Sequence, residues 1–285
     1  MKKEYLTLLK KVIGEDAKVE STLVGGMMNE AYIVSSKQGR FVYYISTAQA
    51  NEMVDRNLEK ETQGIAFNLG LTSENVYFNL KKGIKINRFI EGSSLNKINE
   101  FDYKKVAELL VKFHSSNKKA SVYYDPLGRL DNYKKEAESH TNKFEPEFYE
   151  FWEIVQKNRE FLLSQPLSLA HNDAQRSNIV KSSDNKYYLI DFEFAANNDP
   201  IYDIGTFGNG DALEGKRLLE EYEKLVPVKD GLKRYALWRI DISIQWYLVA
   251  LIKHYRGEGK IHGIDFLAVG KHFLGVAEEA YKLLK

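Results

Sequence analysis

Apolar positions along the chain change their spacing several times, and each change marks a predicted element. Tyr5, Leu8, Leu9 and Val12 fall at helical spacing and run out at Gly14, which predicts an opening amphipathic helix. Between Lys18 and Ile45 the pattern becomes alternating, with Gly25 and Gly26 as a turn between TLV and AYIV. Leu58, Thr62, Ile65 and Leu69 return to helical spacing and stop at Gly70. Val76, Phe78 and Leu80 alternate, Lys82-Gly83 makes a turn, and Ile84 and Ile86 resume the alternation into RFIEG. This first part therefore reads as strands, one helix, then two more strands.

After the short polar stretch Glu91 to Ser94 the chain turns helical, so a hinge is expected there and two domains follow, 1–91 and 92–285. Val106, Leu109, Leu110 and Phe113 mark one helix; Phe148, Phe151, Trp152 and Val155 mark another behind Pro146. Further helices are predicted within Leu213 to Val226, from Lys233 to about Tyr255, and from Lys271 to Leu284. The fold class is α+β, a sheet-rich N-terminal part followed by a larger helical part.

Composition narrows the function. Forty-one Lys and Arg against 40 Asp and Glu leave no broad basic field for nucleic acid or an anionic membrane, so a small-molecule substrate is expected. The absence of cysteine excludes disulfides and thiolate metal sites. The opening MKKEYLTLLKKVIGED lacks the apolar core of a secretory signal, and no apolar run is long enough for a membrane span. A soluble, cytoplasmic protein is expected.

The chemistry concentrates in HNDAQRSN, His171 to Asn178, followed thirteen positions later by Asp191 in YYLIDFEF. Phosphoryl transfer needs a carboxylate to orient the attacking hydroxyl, hard oxygen donors for magnesium, and groups that cradle phosphates. Asp173 suits the first role, Asn178 and Asp191 the second, and Glu193 is a third oxygen donor on the same strand end. Gly25 and Gly26 would let the backbone approach a phosphate, with Met27, Met28 and Asn29 completing that loop. The remaining histidines show no metal-site spacing, and no serine sits in a hydrolase elbow.

LVGGMMNEAYIV, VDRNLEKE, INRFIEG, LAHNDAQRSNIV and LIDFEFAANNDPIYDIGTFG, spread from Leu23 to Gly208, resemble the choline and ethanolamine kinase family, which belongs with the aminoglycoside phosphotransferases in the protein-kinase-like fold. The resemblance implies a bilobal enzyme with ATP between its lobes. Asp173 would be the catalytic base, Asn178 and Asp191 the magnesium ligands, and Asp203 a brace for the catalytic loop, with His171 holding that loop rather than doing chemistry. Glu59, Phe89 and Glu91 would join Gly25 to Asn29 around the nucleotide. In the family the helix glutamate pairs with a strand lysine or arginine that contacts ATP; here that position falls on Tyr44, with Arg40, Lys37 or Arg56 as candidates to replace it.

For the acceptor, the resemblance implies aromatic faces and an acid around a quaternary ammonium. Trp246 matches the first of a paired WxxW, the second falls on Val249, and the expected acid falls on Gly210 beside Asp211. Asp211, Trp246 and Tyr247 are therefore the acceptor candidates with Asp173. The same helical stripe, Tyr235, Trp238, Ile242, Trp246 and Val249, also suits ordinary core packing. The implied function is ATP- and magnesium-dependent phosphorylation of a small amino alcohol, choline first and ethanolamine second. A thiamine-like, sugar or aminoglycoside acceptor, or a nucleotide-binding pseudokinase, stands as the alternative.

Overall fold

The computed structural model describes residues 1–23 and 29–285. In chain order come α1 (Lys3–Ile13), β1 (Lys18–Leu23), β2 (Asn29–Ser36), β3 (Gly39–Ser46), α2 (Ala48–Met53), α3 (Arg56–Asn68), β4 (Asn75–Asn79), β5 (Ile84–Arg88) and β6 (Gly92–Ser94). Next are α4 (Tyr103–His114), α5 (Pro126–Glu138), α6 (Pro146–Lys157), α7 (Arg159–Leu163), β7 (Ser168–Ala170), β8 (Ile179–Ser182), β9 (Tyr187–Leu189) and β10 (Ala196–Asn198). The chain closes with α8 (Ile201–Phe207), α9 (Ala212–Leu225), α10 (Gly231–Tyr255), α11 (Glu258–His262) and α12 (Phe266–Lys282).

Two compact units result, and neither is a single stretch of chain. The first comprises residues 1–101, 120–122 and 177–195; the second comprises 102–119, 123–176 and 196–285. A single cut after Glu91 differs from this division because β6, just beyond that point, pairs antiparallel with β8, matching Gly92 to Ser182 and Ser94 to Val180. Strand pairing thus draws 177–195 into the first unit.

The first unit is built on an antiparallel sheet of order β1-β2-β3-β5-β4. Alternation gives it two unlike faces. Phe41, Tyr43 and Ile45 of β3 and Ile84 and Ile86 of β5 join Leu9 and Ile13 of α1 in an apolar core. Residues between them, among them Tyr44, Ser46 and Lys85, point the other way. α3 lies with polar groups inward: its buried residues are Arg56, Glu59, Thr62, Gln63 and Ala66. Of the stripe expected from Leu58, Thr62, Ile65 and Leu69, Thr62 is buried and the three apolar residues are only partly so, because an ion-pair cluster rather than an apolar seam takes the inner face of this helix. Asp55 caps its start by accepting from the amides of Asn57 and Leu58.

In the second unit α10 packs against α12, α5, α8, α6 and α9. It is buried over most of its circumference, as expected of a helix apolar on nearly every side. No described helix is long and apolar enough to cross a membrane.

Candidate functional site

The second unit holds a braced turn. β7 and β10 pair antiparallel, Ala170 opposite Ala196, and β7 runs directly into His171. Asn172 adopts φ 62°, a left-handed conformation that asparagine tolerates better than most residues. Asp203 of α8, with no exposed surface, accepts from the backbone amides of His171 at 2.8 Å and Asn172 at 2.6 Å. His114 Nε2 lies 2.8 Å from the same carboxylate, and its Nδ1 lies 2.9 Å from the Tyr222 hydroxyl. Asn198 donates to Asn172 Oδ1 at 2.8 Å. Asp173 follows this anchored pair, and its carboxylate accepts from Gln175 Nε2 at 3.0 Å. A second buried carboxylate, Asp199, receives Arg234 and, at 2.8 Å, Trp238 Nε1.

The first unit holds a cluster of charges on the polar face of its sheet. Asn178 precedes β8 and is buried, its carbonyl accepting from Ile190 at 2.9 Å. Asp191 follows with φ 67°, which is unusual for a residue bearing a side chain. The carboxylates of Glu59, Asp191 and Glu193 offer oxygens within 4.8 Å of one another. Lys85 bonds to Glu59 and lies 3.2 Å from Asp191, while Arg56 reaches Glu59 at 2.6 Å and Glu193 at 3.2 Å. Asn29 donates to Glu193, and Arg56 also donates to Ser46. Burial, then repulsion from Asp191, raises the pKa of Glu193. Such closely set oxygens, carrying more negative than positive charge, fit a hard divalent cation.

The strand position occupied by Tyr44 does not leave this unit without a buried lysine. β3 and β5 set Tyr44 opposite Lys85, and the Lys85 ammonium lies 4.7 Å from the centre of the Tyr44 ring. Of the three candidates to replace the strand cation, Arg56 enters the cluster. Arg40 instead binds Glu91 at 2.8 Å and Glu20 at 2.8 Å, and covers Phe89 at 4.4 Å. Lys37 bonds through its backbone amide to Asp16. Phe89 and Glu91 thus meet Arg40 on a solvent-facing part of the unit. The one local signal for Lys85 is its place between Ile84 and Ile86 in an alternating strand, which does not say what the sheet's other face meets. Gly25, Gly26, Met27 and Met28 lie outside the described residues.

The acceptor candidates separate. Asp211 is exposed and caps α9, accepting from the Leu213 amide at 2.7 Å. Trp246 stacks on Phe273 of α12 with centroids 5.8 Å apart. Tyr247 requires a correction. It is 2% exposed, stacks on Phe148 at 5.4 Å, and accepts the Glu145 amide at 2.9 Å, so it packs α10 against α6 instead of facing a ligand. Aromatic groups the sequence reading passed over lie nearer the braced turn. Tyr124 donates its amide to Asn197 of β10 at 2.9 Å, and its ring lies 5.5 Å from Tyr202, which meets Trp238 at 5.3 Å. Burial pushes the Tyr124 phenol up to about 12, with the charge of Asp173 adding to the rise.

Comparisons with known proteins bear on the family and the fold. The sequence profile of the choline/ethanolamine kinase family matches residues 20–217, more than half of the chain. Protein LicA of Haemophilus influenzae is 23% identical over 284 residues, covering 92% of this chain and 79% of that protein. The crystal structure of choline kinase LicA from Streptococcus pneumoniae superposes with a TM-score of 0.74 at 23% identity, covering 98% of each chain. A structure of LicA in complex with AMP gives 0.74 at 24% identity, over 100% of this chain and 98% of that one. These likenesses carry the protein-kinase-like fold. On the strength of the profile match and the shared fold, the chain belongs to the choline/ethanolamine kinase family and is a small-molecule kinase.

Proposed function

We propose that the protein is an ATP- and magnesium-dependent kinase that phosphorylates the hydroxyl of a small amino alcohol, choline first and ethanolamine second. Support comes above all from the two amides locked onto Asp203, which fix the backbone immediately before Asp173. A base presented from a rigid turn loses little freedom when it orients a substrate. In this reading Asp173 accepts the proton of the acceptor hydroxyl as its oxygen bonds to the γ-phosphorus and the bond to the bridging oxygen of ADP breaks. Asn178, Asp191 and Glu193 would hold magnesium, which, when bound, offsets charge on the β- and γ-phosphates. Asn29 and Glu59 belong to the nucleotide side of the same reading, and the structure of LicA in complex with AMP supports a nucleotide as a ligand. Asp203 acts through the turn it fixes.

One observation favours a second acceptor class. The Arg129 guanidinium lies 5.4 Å from the Tyr124 ring and 5.7 Å from the Tyr133 ring, so these faces already meet a cation of the chain itself. A quaternary ammonium is recognised by aromatic faces, whereas a sugar or other polyol needs hydrogen-bonding groups. Trp246, stacked on Phe273, and Asp211 remain the acceptor contacts to test for choline.

The test is ADP release from Mg·ATP with choline, ethanolamine, thiamine, simple sugars and an aminoglycoside in turn, using Asp173→Asn as the blank. Release that one acceptor stimulates and the blank abolishes is the expected result and identifies the class. Equal release by the blank would remove Asp173 from the mechanism.

A further inference from the structure

We infer that Lys85 is the cation that meets the nucleotide's phosphates in this protein, delivered from β5 because β3 presents Tyr44 at the facing position. The inference rests on the nucleotide reading above and adds a residue to it. Lys85 is 2% exposed, on the face of the sheet opposite the apolar core, and it shares that face with Tyr44 and Ser46. Burial works against its charge, but the carboxylates of Glu59, Asp191 and Glu193 outweigh burial and raise its pKa, so it stays an ammonium.

Its setting argues for a ligand rather than for charge balance alone. An ammonium has three donors. Glu59 takes one, and Asp191, at 3.2 Å, takes a second across a longer and weaker contact. Asp191 is also the carboxylate of the cluster with an exposed side-chain portion, 32% against 0% for Glu59 and 3% for Glu193. Lys85 therefore touches the partly exposed member of the cluster as well as its most buried one. Arg56 does not compete for the role: its fork is committed to Glu59, Glu193 and Ser46. Tyr44 carries no charge, and burial pushes its phenol up to about 12. Its ring instead lies beside the Lys85 ammonium at 4.7 Å, where an aromatic face stabilises a cation. Registered opposite one another, the two residues hold the cation on the neighbouring strand while leaving it on the same face. The chemistry that fits is a run of anionic phosphate oxygens beside the metal-type carboxylate of Asp191.

The experiment measures Mg·ADP affinity by calorimetry, Mg·ATP kcat/KM and the melting temperature for the full chain. The variants are Lys85→Met, Lys85→Arg and the exchange Tyr44→Lys with Lys85→Tyr. Losing a charge-assisted contact should weaken Mg·ADP binding by about 10- to 100-fold in Lys85→Met, with the KM for the acceptor unchanged. Arginine should recover part of the loss, and the exchange should recover more than Lys85→Met retains. Unaltered Mg·ADP affinity in Lys85→Met would overturn the inference. So would a loss that follows the melting temperature and that neither arginine nor the exchange repairs. The unaltered protein is the control: if it binds no Mg·ADP, the nucleotide reading itself falls and takes the lysine's role with it.

Discussion

In the second unit one carboxylate, Asp203, meets three donors of fixed position: two backbone amides and His114. In the first unit three carboxylates, Glu59, Asp191 and Glu193, share the two cations Lys85 and Arg56. Both arrangements are largely buried, yet they are built for different ends. A closed, fully bonded carboxylate fixes a backbone, since every lost partner leaves a buried group unsatisfied. A cluster with surplus negative charge and one partly exposed member is held in place but left short of a cation. In the proposed reaction, a rigid turn before Asp173 and surplus negative charge around Asp191 would serve different needs of phosphoryl transfer.

Removing Asp203 should do the most damage. Asp203→Ala would strand the amides of His171 and Asn172 together with His114, and we expect a loss of about 3–5 kcal/mol in urea unfolding, along with turnover. A loss under about 1 kcal/mol would show that the turn does not depend on its brace.

The opposite pattern is expected of Asp191→Asn. Turnover should fall by roughly 100-fold or more, while relief of like charge keeps unfolding stability within about 1 kcal/mol of the parent. Magnesium sharpens the contrast. At ten times its Kd it should stabilise the parent by about 1.4 kcal/mol and leave the variant where it was. Equal stabilisation of both would take Asp191 out of the metal site.

Another buried carboxylate tests the rule by its poorer bonding. Asp241 of α10 has no exposed surface, accepts from Gln245 at 2.7 Å through Oδ2, and its Oδ1 has no hydrogen-bond partner among the described residues. Burial pushes its carboxyl from 3.8 up to about 8. Because the folded state holds this proton more tightly than the unfolded one, the stability it contributes is complete below about pH 4 and is lost as pH rises toward about 8. That part of the profile should fall by at most about 1.4 kcal/mol per pH unit. Asp241→Asn should flatten it between pH 5 and pH 8 in unfolding titrations; parallel profiles would mean that the carboxyl ionises normally.

The parts of the site legible in the sequence are the ones that lie close together in it. Asp173, Asn178, Asp191 and Glu193 span a short segment, and their spacing alone suggested a kinase loop and a metal pair. Glu59 was legible only through the family resemblance. The parts missed are joined across long separations: Lys85 to Asp191 is 106 residues apart, and His114 to Asp203 is 89. Nothing local marks His114 as a partner for the turn, and Tyr247 looked like a ligand residue because a helical stripe does not say which neighbour will cover it. The inner face of α3 was misjudged for a related reason. Periodicity finds apolar stripes, and this helix buries Arg56 and Glu59 because paired charges await them on the sheet.

By itself the sequence determined the strand and helix order of the first ninety or so residues, five of the later helices, the family, and the residues of the HNDAQRSN loop with its following aspartate, since these depend on neighbours within a few turns of chain. The tertiary structure alone decided which strand presents the cation, which groups hold the turn before Asp173, and which aromatics are core. Those outcomes depend on strand register and on packing between distant segments, where a shift of one residue would turn Lys85 to the other face of the sheet.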